Sequence, residues 1–391
     1  MRRQHSPETR CDAHLAWRCG ACRRQSIGRF LTVALVLMLA TRGIAPAMGQ
    51  ETVTDLCGRR VTVPENVDRL VALGPGALRL VAYLGAVERV VGIEEMERRM
   101  DRSPWLRPYA AALPSAFFGR PVVAPGGPGK LPDFERLLIC RPDLIVVTAM
   151  GRRQASNIQA KTGIPTVVLS YGELGVWRKE AHTSLTLLGE LLGRRERAAE
   201  VNTYIRRAVA ELASRTEGIP REDRPTVYFG GVSLKGAQGL MSTEIRYPPG
   251  RMVNARNVAD QLGKQGHVFL DREQLLAWKP EVVFVDIAGR AVLEQNARRK
   301  PGYTRLLSDS HHAVFYSVLP YNYYNTNIEL ALLNAWFVGK CLYPQRFEDI
   351  EMGGKADAVF AALLGFSPKG SPPAYERLHF RADGSIRWRA P

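Results

Sequence analysis

Residues 133–146 have the sequence DFERLLICRPDLIV, and residues 271–284 have the sequence DREQLLAWKPEVVF. Each position of the second segment lies 138 residues after its match in the first. In both copies an Asp that can cap a helix precedes an amphipathic run, a Pro ends that run, and an apolar stretch follows. The pattern predicts one helix–strand unit that is used twice, and hence two similar α/β lobes. Because clefts between domains are common ligand sites, we expect a ligand cleft between the lobes.

Further strand and helix patterns alternate around these two units. Short apolar runs that are typical of buried parallel strands lie at 69–73, 89–93, 143–149, 166–170, 226–229, 281–287 and 313–318. Helical periodicity separates them. Strands that alternate with helices favour a doubly wound parallel sheet in each lobe. Residues 242–249 follow a Gly-containing stretch, and we expect them to form a flexible loop at the ligand end.

A long helix is predicted between the lobes. No Pro occurs from Lys179 to Glu217, and apolar residues recur there at spacings of three and four. Gly193 separates two helices, and the second would join the lobes more stiffly than a loop. The expected domains are a signal peptide at 1–49, an N-terminal lobe at 51–193, an interdomain helix at 194–217, a C-terminal lobe at 218–345, and a C-terminal helix and tail at 346–391.

The first 49 residues have the pattern of an export signal peptide. Three Arg precede an apolar stretch at 30–40, which is shorter than the about 20 residues of a membrane helix. Ala47-Met48-Gly49 offers small residues for cleavage near Gly49, before Gln50. Arg23-Arg24 faintly resembles a twin-arginine motif, so both the general secretory and the twin-arginine routes stay open, as does a start site further along the chain. The pattern predicts a periplasmic protein.

Charge and cysteine content restrict the class of partner and of fold. The net charge is +16, and eight Arg against Glu8 and Asp12 in residues 1–49 leave +10 for the mature chain. A basic protein favours anionic partners, but no basic run with interleaved aromatic residues points to nucleic acid. Three cysteines remain after the signal peptide, Cys57, Cys140 and Cys341. This odd number does not fit a disulfide scaffold, and we expect buried thiols.

Motifs of several enzyme classes are missing from the sequence. Gly126-Gly127-Pro128-Gly129-Lys130 resembles a phosphate loop, but Ala124 and Leu131 stand where a Walker loop needs Gly and Ser or Thr. Neither a G-x-S-x-G elbow nor an H-E-x-x-H motif is present. Of the seven His, two lie in residues 1–49, two are adjacent at 311–312 and the other three are scattered, which does not support a metal site built from them. We expect no catalytic residues, no resident cofactor and no enzymatic activity.

The loop Tyr321-Asn322-Tyr323-Tyr324-Asn325 is the first candidate for ligand contact. It follows a predicted strand, and ligands of doubly wound sheets meet the loops at the carboxyl ends of strands. Its tyrosines and asparagines offer flat aromatic faces with polar edges, which suit a planar or oxygen-rich ligand. A Tyr phenolate can also bind ferric iron. The alternative is a plain loop in which Asn327 caps the following helix.

Two further loops place Arg at the expected ligand end. Arg246, next to Tyr247, can hold a ligand carboxylate in a bidentate pair. Arg152 follows the strand of the first repeat unit and offers the same chemistry. For both, the alternative is a solvated Arg on a surface loop. We include Arg246, Tyr247 and Arg152 among the candidate ligand-binding residues.

Glu135 and Glu273 occupy matched positions in the two repeat units. A carboxylate in the first turn of a helix is stabilised by the helix dipole by about 0.3–1 kcal/mol, which explains one such residue by itself. The functional interpretation is a pair of exposed carboxylates, one on each lobe, that dock on a basic partner. Common ancestry of the two lobes is the alternative explanation of the match.

The chain resembles the substrate-binding proteins of ABC importers for ferric siderophores, haem and cobalamin. The resemblance covers about residues 51–345 and rests on the opening at 54–59, on the segment at 63–73, and on the two Glu-x-Leu-Leu…Pro-Asp/Glu units. Cys57 departs from the small or apolar residue that is usual in that family. The resemblance implies two lobes on one rigid helix, with Glu135 and Glu273 pairing with Arg of the permease in the inner membrane.

The function implied by this resemblance is that of a periplasmic receptor, expected to be a monomer. It would bind a metal chelate, most simply a ferric siderophore, and deliver it to an ABC importer. A corrinoid or haem is the alternative ligand, so the bound group would be an iron or cobalt chelate. An exported two-lobed enzyme and a chelate sensor that signals through a membrane partner are the other hypotheses.

Overall fold

The computed structural model describes residues 49–172, 179–234, 236–263, 266–299, 313–368, 372–380 and 385–389. Residues 1–48, which contain almost all of the predicted signal peptide, lie outside the described residues. Within the described part of the chain, no helix is long and apolar enough to cross a membrane.

In the described residues of the N-terminal lobe, five strands form a parallel sheet. Its elements are the hairpin β1 (Gln50–Thr54) and β2 (Arg60–Pro64), the sheet strands β3 (Leu70–Leu73), β4 (Val90–Glu94), β5 (Val122–Ala124), β6 (Leu144–Val147) and β7 (Thr166–Val168), and the helices α1 (Ala77–Tyr83), α2 (Glu95–Arg99), α3 (Pro108–Ala111), α4 (Phe134–Cys140), α5 (Arg152–Thr162) and α6 (Lys179–Leu191). In the strand order β5-β4-β3-β6-β7, the chain adds β4 and β5 on one side of β3 and then β6 and β7 on the other side. Such a switch point is where parallel sheets bind ligands.

The predicted bridging helix is present as α7 (Arg195–Arg215). Its 21 residues span about 30 Å. One face of α7 buries Val201, Ile205 and Leu212, as the apolar spacing predicts. In the chain, α6, α7 and the turns at 216–225 thus precede β8, the first strand of the second sheet.

The described residues of the C-terminal lobe form a mixed sheet of eight strands. Its elements are β8 (Thr226–Gly230), β9 (Ser242–Ile245), α8 (Pro248–Met252), β10 (Arg256–Asn257), β11 (Gly266–Phe269), α9 (Arg272–Trp278), β12 (Val282–Asp286), α10 (Arg290–Arg299), β13 (Val314–Val318), α11 (Ile328–Leu342), α12 (Met352–Leu364), β14 (Arg377–Phe380) and β15 (Ile386–Arg389). The central strands β8, β12 and β13 are parallel, as predicted, whereas β9, β11, β14 and β15 add antiparallel edges.

The prediction of a flexible loop over residues 242–249 is wrong. Ser242–Ile245 forms β9, which pairs with β11 residue by residue, and Pro248 begins α8. The β-branched alternation at 243–245 supports a strand, and Pro is favoured in the first turn of a helix, where its missing N–H has no partner to lose. Pairing with β11, more than twenty residues away in the chain, converts this segment into core structure.

Both repeat units adopt the predicted helix–strand form. In α4, the Asp133 carboxylate accepts a hydrogen bond from the Arg136 amide at 3.1 Å, and in α9 Asp271 accepts from the Gln274 amide at 2.8 Å. Both helices have seven residues and end at a left-handed residue, Arg141 in α4 and a lysine at the matched position in α9. The internal repeat of the sequence is therefore a repeat of the structure.

The two lobes are also connected by the C-terminal part of the chain. Helix α12 packs against α1 and α3 of the N-terminal lobe as well as against α7. Trp105 and Phe360 meet edge to face across this contact, with 5.5 Å between their ring centroids. The Arg197 guanidinium of α7 donates to the Ala362 carbonyl at 2.7 Å. The tail, which the sequence did not place, continues into the edge strands β14 and β15.

The predicted thiols are free. Cys140 is buried, whereas Cys57 and Cys341 are half-buried. The prediction of a buried thiol is therefore confirmed for Cys140, and the other two thiols are more exposed than expected.

Candidate functional site

A cleft of about 660 Å³ lies between the two lobes. Its N-terminal wall is formed by Pro75, Met96, Met100, Gly127, Pro128, Thr148, Ala149, Ser170, Tyr171 and Gly172, and its C-terminal wall by Ser233, Leu234, Gly236, Asn322, Tyr323, Tyr324 and Asn325. Almost all of these residues follow the carboxyl ends of strands, including β3 and β6 at the switch point of the first sheet. The volume is that of a site for a small organic molecule.

The candidate loop after β13 contributes four of its five predicted residues to the cleft. Asn322, Tyr323, Tyr324 and Asn325 line it and are half-buried. Tyr324 and Asn325 have positive φ angles of 53° and 73°. Non-glycine residues in this conformation cost of order 1–3 kcal/mol each and cluster at functional sites. The surrounding structure must therefore hold this loop in place.

Arg79 of α1 supplies much of that support. Its guanidinium is fully buried and donates to the carbonyl oxygens of Thr326 at 2.7 Å and Tyr324 at 3.2 Å. Burial opposes the charge of Arg79, but Tyr171, Tyr83 and other neighbours outweigh this effect and raise the pKa of the guanidinium. A cation from the N-terminal lobe thus fixes the candidate loop of the C-terminal lobe.

Tyr83 and Glu329 extend the same connection between the lobes. The Tyr83 hydroxyl of α1 donates to the Glu329 carboxylate in the first turn of α11, and both side chains are fully buried. Burial raises the pKa of Glu329, while Arg79 and the Tyr83 hydroxyl act in the opposite direction. The sequence pattern did not indicate this cluster, because its members look like ordinary polar positions of two separate helices.

Glu94 and Tyr324 meet at the base of the cleft. The Tyr324 hydroxyl donates to Glu94 at 2.7 Å and accepts from the Gly127 amide at 3.1 Å, and Glu94 also accepts from the Gly74 amide at 2.8 Å. Burial raises the pKa of Glu94, and the hydrogen bonds from the Gly74 amide and the Tyr324 hydroxyl partly offset this rise. Gly126 makes the approach possible, because a Cβ there would lie 2.8 Å from Met96 and 3.1 Å from the Tyr324 hydroxyl.

Tyr321 and Tyr247 lie below the cleft and not in its lining. The Tyr321 hydroxyl donates to the buried Glu244, and Tyr247 stacks on Phe229 with 4.1 Å between ring centroids. Both tyrosines are almost fully buried. The structure thus does not bring Tyr321 and Tyr247 into the cleft, because the strand β9 carries Glu244 inward and draws Tyr321 toward it.

Neither predicted Arg lines the cleft. Arg246 is exposed, and its backbone amide donates to the Asp260 carboxylate at 2.6 Å. The Arg152 guanidinium donates to the carbonyls of Cys57 at 2.8 Å and Gly58 at 3.2 Å, and thereby ties α5 to the β1–β2 hairpin. The structure therefore favours the alternative of a surface role for Arg246 and gives Arg152 a structural contact.

Asp286 is a further residue that the sequence did not single out. It lies at the carboxyl end of β12, is buried, and accepts hydrogen bonds from the Ser233 amide at 3.3 Å and the Ser233 hydroxyl at 3.2 Å. Burial raises its pKa to about 7. Since Ser233 lines the cleft and its carbonyl accepts from Asn322 at 3.1 Å, Asp286 orients one side of the cleft wall.

The described lining is more apolar than polar, and it contains no charged side chain. Among the described lining residues there is no Asp, Glu, His, Cys, Lys or Arg. The part of the chain that the structure describes also contains no group of three His, Cys, Asp or Glu residues able to hold a metal ion. The Tyr323 hydroxyl makes no hydrogen bond within the described residues, whereas the Tyr321 and Tyr324 hydroxyls are held by carboxylates. The cleft therefore offers aromatic, thioether and amide contacts.

Glu135 and Glu273 lie on the two repeat helices and are exposed. The Glu273 side chain is 71% exposed and forms an ion pair with Arg272 at 3.1 Å. Glu135 makes no ion pair within the described residues. The two carboxylates thus lie on the surface of the protein, one on each lobe, apart from the residues that line the cleft.

Known proteins share these features, namely two sheets with parallel central strands, a connecting helix and a cleft between the two lobes. The model of the family described as "Periplasmic binding protein" matches residues 70–312. The chain belongs to the periplasmic binding protein family. Its members are substrate-binding proteins for transport and act in the periplasm, so the predicted family and the predicted compartment are confirmed.

Individual relatives show the same fold. The molybdate-binding protein MolA of Haemophilus influenzae is 24% identical over 330 residues, 78% of this chain and 88% of that protein. The structure of MolA bound to molybdate has a TM-score of 0.64 with 21% identity and covers 82% of this chain and all of that one. A CeuE complex with Ni-His from Helicobacter pylori has a TM-score of 0.58 with 14% identity, covering 82% of this chain and 97% of that chain.

Proposed function

We propose that this periplasmic binding protein captures a metal chelate in the cleft between its lobes and delivers it to the permease of an ABC importer. The observation that carries the proposal is the chemistry of the cleft. A bare metal ion needs carboxylate, imidazole or thiolate ligands, and the described lining residues include none. A chelate brings its own ligands and presents organic surface, which Tyr323, Met96 and Met100 can cover.

A ferric siderophore remains our preferred chelate, with a corrinoid or haem as the alternative. The cleft volume of about 660 Å³ suits ligands of this class, and tyrosine faces stack on planar groups. Burial raises the pKa of Tyr324, so its hydroxyl is a poor phenolate donor to iron. The similar CeuE structure is that of a complex with Ni-His, a ligand that contains a metal.

Molybdate is the second candidate, because the relative that is 24% identical over 78% of this chain is named as a molybdate-binding protein. A tetrahedral oxyanion would use neutral donors here, such as the Ser170 and Tyr323 hydroxyls. It would fill only a small part of the cleft. We therefore rank it after the chelate.

Intrinsic tryptophan and tyrosine fluorescence of the mature protein, residues 50–391, distinguishes these ligands. We expect saturable quenching by one ferric siderophore, haem or corrinoid at submicromolar concentration and no response to molybdate. Metal-free siderophore is the matched control for the organic part. Saturable binding of molybdate together with silence toward every chelate would refute the chelate proposal.

Delivery is proposed to depend on Glu135 and Glu273. We expect the double substitution Glu135→Ala and Glu273→Ala to leave ligand affinity unchanged and to abolish uptake in proteoliposomes that contain the permease. The matched control is Glu190→Ala with Glu196→Ala, which removes two exposed carboxylates away from the repeat helices. Uptake at the wild-type rate by the Glu135/Glu273 variant would contradict the docking assignment.

A further inference from the structure

Exposed apolar side chains are concentrated on the two repeat units. Among the described residues, six large apolar side chains are exposed: Leu131, Leu138, Ile139, Leu262, Phe269 and Leu276. Five of them lie on or just before α4 and α9, and Leu262 alone lies elsewhere. Ile139 is 78% exposed and Phe269 is 62% exposed. Clustered exposed apolar residues that are rimmed by polar ones mark interaction sites.

These apolar positions correspond between the lobes. Leu131 matches Phe269, and Leu138 matches Leu276, with the same offset of 138 residues that relates Glu135 to Glu273. Because α4 and α9 have equal lengths, the same N-caps and the same left-handed ends, matched residues occupy equivalent places on the two helices. Each lobe therefore presents one carboxylate next to exposed apolar side chains.

The geometry of the helix places these groups on one face. Glu135, Leu138 and Ile139 are spaced i, i+3 and i+4, so they are neighbours on the outer face of α4. Leu137 and Cys140 occupy the opposite face and are buried in the N-terminal lobe. In α9, Glu273 and Leu276 lie outward in the same way, while the position matching Leu137 is buried. Packing within the lobes thus does not use these outer apolar residues.

We propose that Leu131, Leu138, Ile139, Phe269 and Leu276 form the apolar part of the surface that docks on the membrane permease. The proposal rests on the docking role of Glu135 and Glu273 and extends it. In each lobe the carboxylate pairs with a permease cation, and the surrounding apolar side chains enter apolar depressions that exclude water from that ion pair. A few central contacts carry most of the affinity of an interface, and the contacts around them exclude water.

Charge and symmetry favour a permease over other occupants. A lipid surface offers apolar depth but no cation placed opposite each carboxylate. A second copy of this chain, joined by two-fold symmetry through the same face, would bring like carboxylates together. A partner that accepts two equivalent patches of one chain presents two equivalent sites, as a two-fold symmetric membrane protein does. The matched patches therefore fit a dimeric permease.

The test compares an apolar variant with two others. The apolar variant combines Leu138→Ser, Ile139→Ser, Phe269→Ser and Leu276→Ser, and the charge variant combines Glu135→Ala and Glu273→Ala. Leu262→Ser is the matched control, because Leu262 is exposed but lies outside both repeat units. Binding of each variant to the importer permease in lipid nanodiscs is measured at low and high salt, with protein-free nanodiscs alongside. Thermal unfolding and ligand titration check that each variant is folded.

We expect the apolar variant to lose about tenfold to a hundredfold in affinity for the permease, with Leu262→Ser unchanged. Its loss should persist at high salt, whereas salt screens the contribution of the carboxylates and reduces the defect of the charge variant. Wild-type affinity of the apolar variant, with binding lost in the charge variant, would overturn the apolar surface and keep the carboxylate docking. Unchanged affinity of both variants would overturn both.

Two further outcomes would also overturn the proposal. Equal loss of binding to protein-free nanodiscs would assign the apolar residues to the lipid surface. A wild-type dimer in sedimentation velocity that the apolar variant converts to monomer would assign them to self-association.

Discussion

Arg79→Met tests how the N-terminal lobe supports the candidate loop after β13. The substitution keeps most of the aliphatic volume and removes a fully buried guanidinium that donates to Thr326 at 2.7 Å and to Tyr324 at 3.2 Å. A hydrogen bond to a charged group contributes about 1.5–3 kcal/mol, so the two bonds together contribute about 3–6 kcal/mol. The third contact, to the Tyr323 carbonyl at 3.5 Å, is too long to count.

Part of this loss is offset, because Met avoids the cost of burying a charge. We therefore expect Arg79→Met to lower the free energy of unfolding by about 2–4 kcal/mol. The left-handed residues Tyr324 and Asn325 would lose their support, so ligand affinity should also fall, by about tenfold. Glu329 would lose its nearby cation, which should make the destabilisation larger at high pH.

Urea unfolding gives the stability change, and fluorescence titration gives the affinity. Arg207→Met is the control, because Arg207 is an exposed Arg of α7 that makes no hydrogen bond or ion pair within the described residues. A free energy of unfolding for Arg79→Met within about 0.5 kcal/mol of wild type, the range of ordinary surface changes, would refute this reasoning.

Two other predictions concern the tyrosines and the buried carboxyls. Tyr323→Ala should weaken ligand binding by about tenfold and leave the unfolding midpoint unchanged, because Tyr323 lines the cleft and its hydroxyl has no partner among the described residues. Tyr321→Phe should instead lower stability by about 1–3 kcal/mol, because Glu244 loses its hydrogen-bond donor, and should leave ligand affinity unchanged. A loss of affinity without a loss of stability in Tyr321→Phe would contradict these separate roles of the two tyrosines. Burial raises the pKa of Glu244 and of Asp286 to about 7, above their unfolded values of about 4. The stability linked to their protonated forms is therefore fully present below pH 4 and is lost as the pH rises through 7. The free energy of unfolding should therefore fall by about 2–3 kcal/mol per carboxyl between pH 5 and 8. The double variant Glu244→Gln with Asp286→Asn should show a weaker dependence of this free energy on pH. An unchanged pH dependence in that variant would assign the effect to other groups.

The repeat units and the bridging helix were predictable because their patterns are local. Residues 133–146 and 271–284 each contain a cap, a helical period, a Pro and an apolar strand within fourteen positions. Helix α7 is visible in the same way, from periodicity alone. The loop at 322–325 was predictable because it follows a strand at the ligand end of the sheet and has an unusual composition.

The supports of the site were not predictable, because they depend on contacts between distant positions. Arg79 meets Thr326 across 247 residues, and Tyr324 meets Glu94 across 230. Within the loop, composition does not distinguish Tyr321 from Tyr323. The buried Glu244 on β9 holds Tyr321 below the cleft, whereas Tyr323 lines the cleft. Strand β9 was not predicted, because its partner strand β11 is not adjacent in sequence.

Native mass spectrometry of the protein isolated from the periplasm of cells that make it tests the chelate assignment most directly. We expect an adduct that contains a metal together with an organic ligand, and that is lost when the cleft residue Tyr323 is replaced by Ala. An adduct with the mass of molybdate or of a bare metal ion would contradict the chelate proposal, which rests on a cleft of about 660 Å³ without metal-binding side chains among its described lining residues.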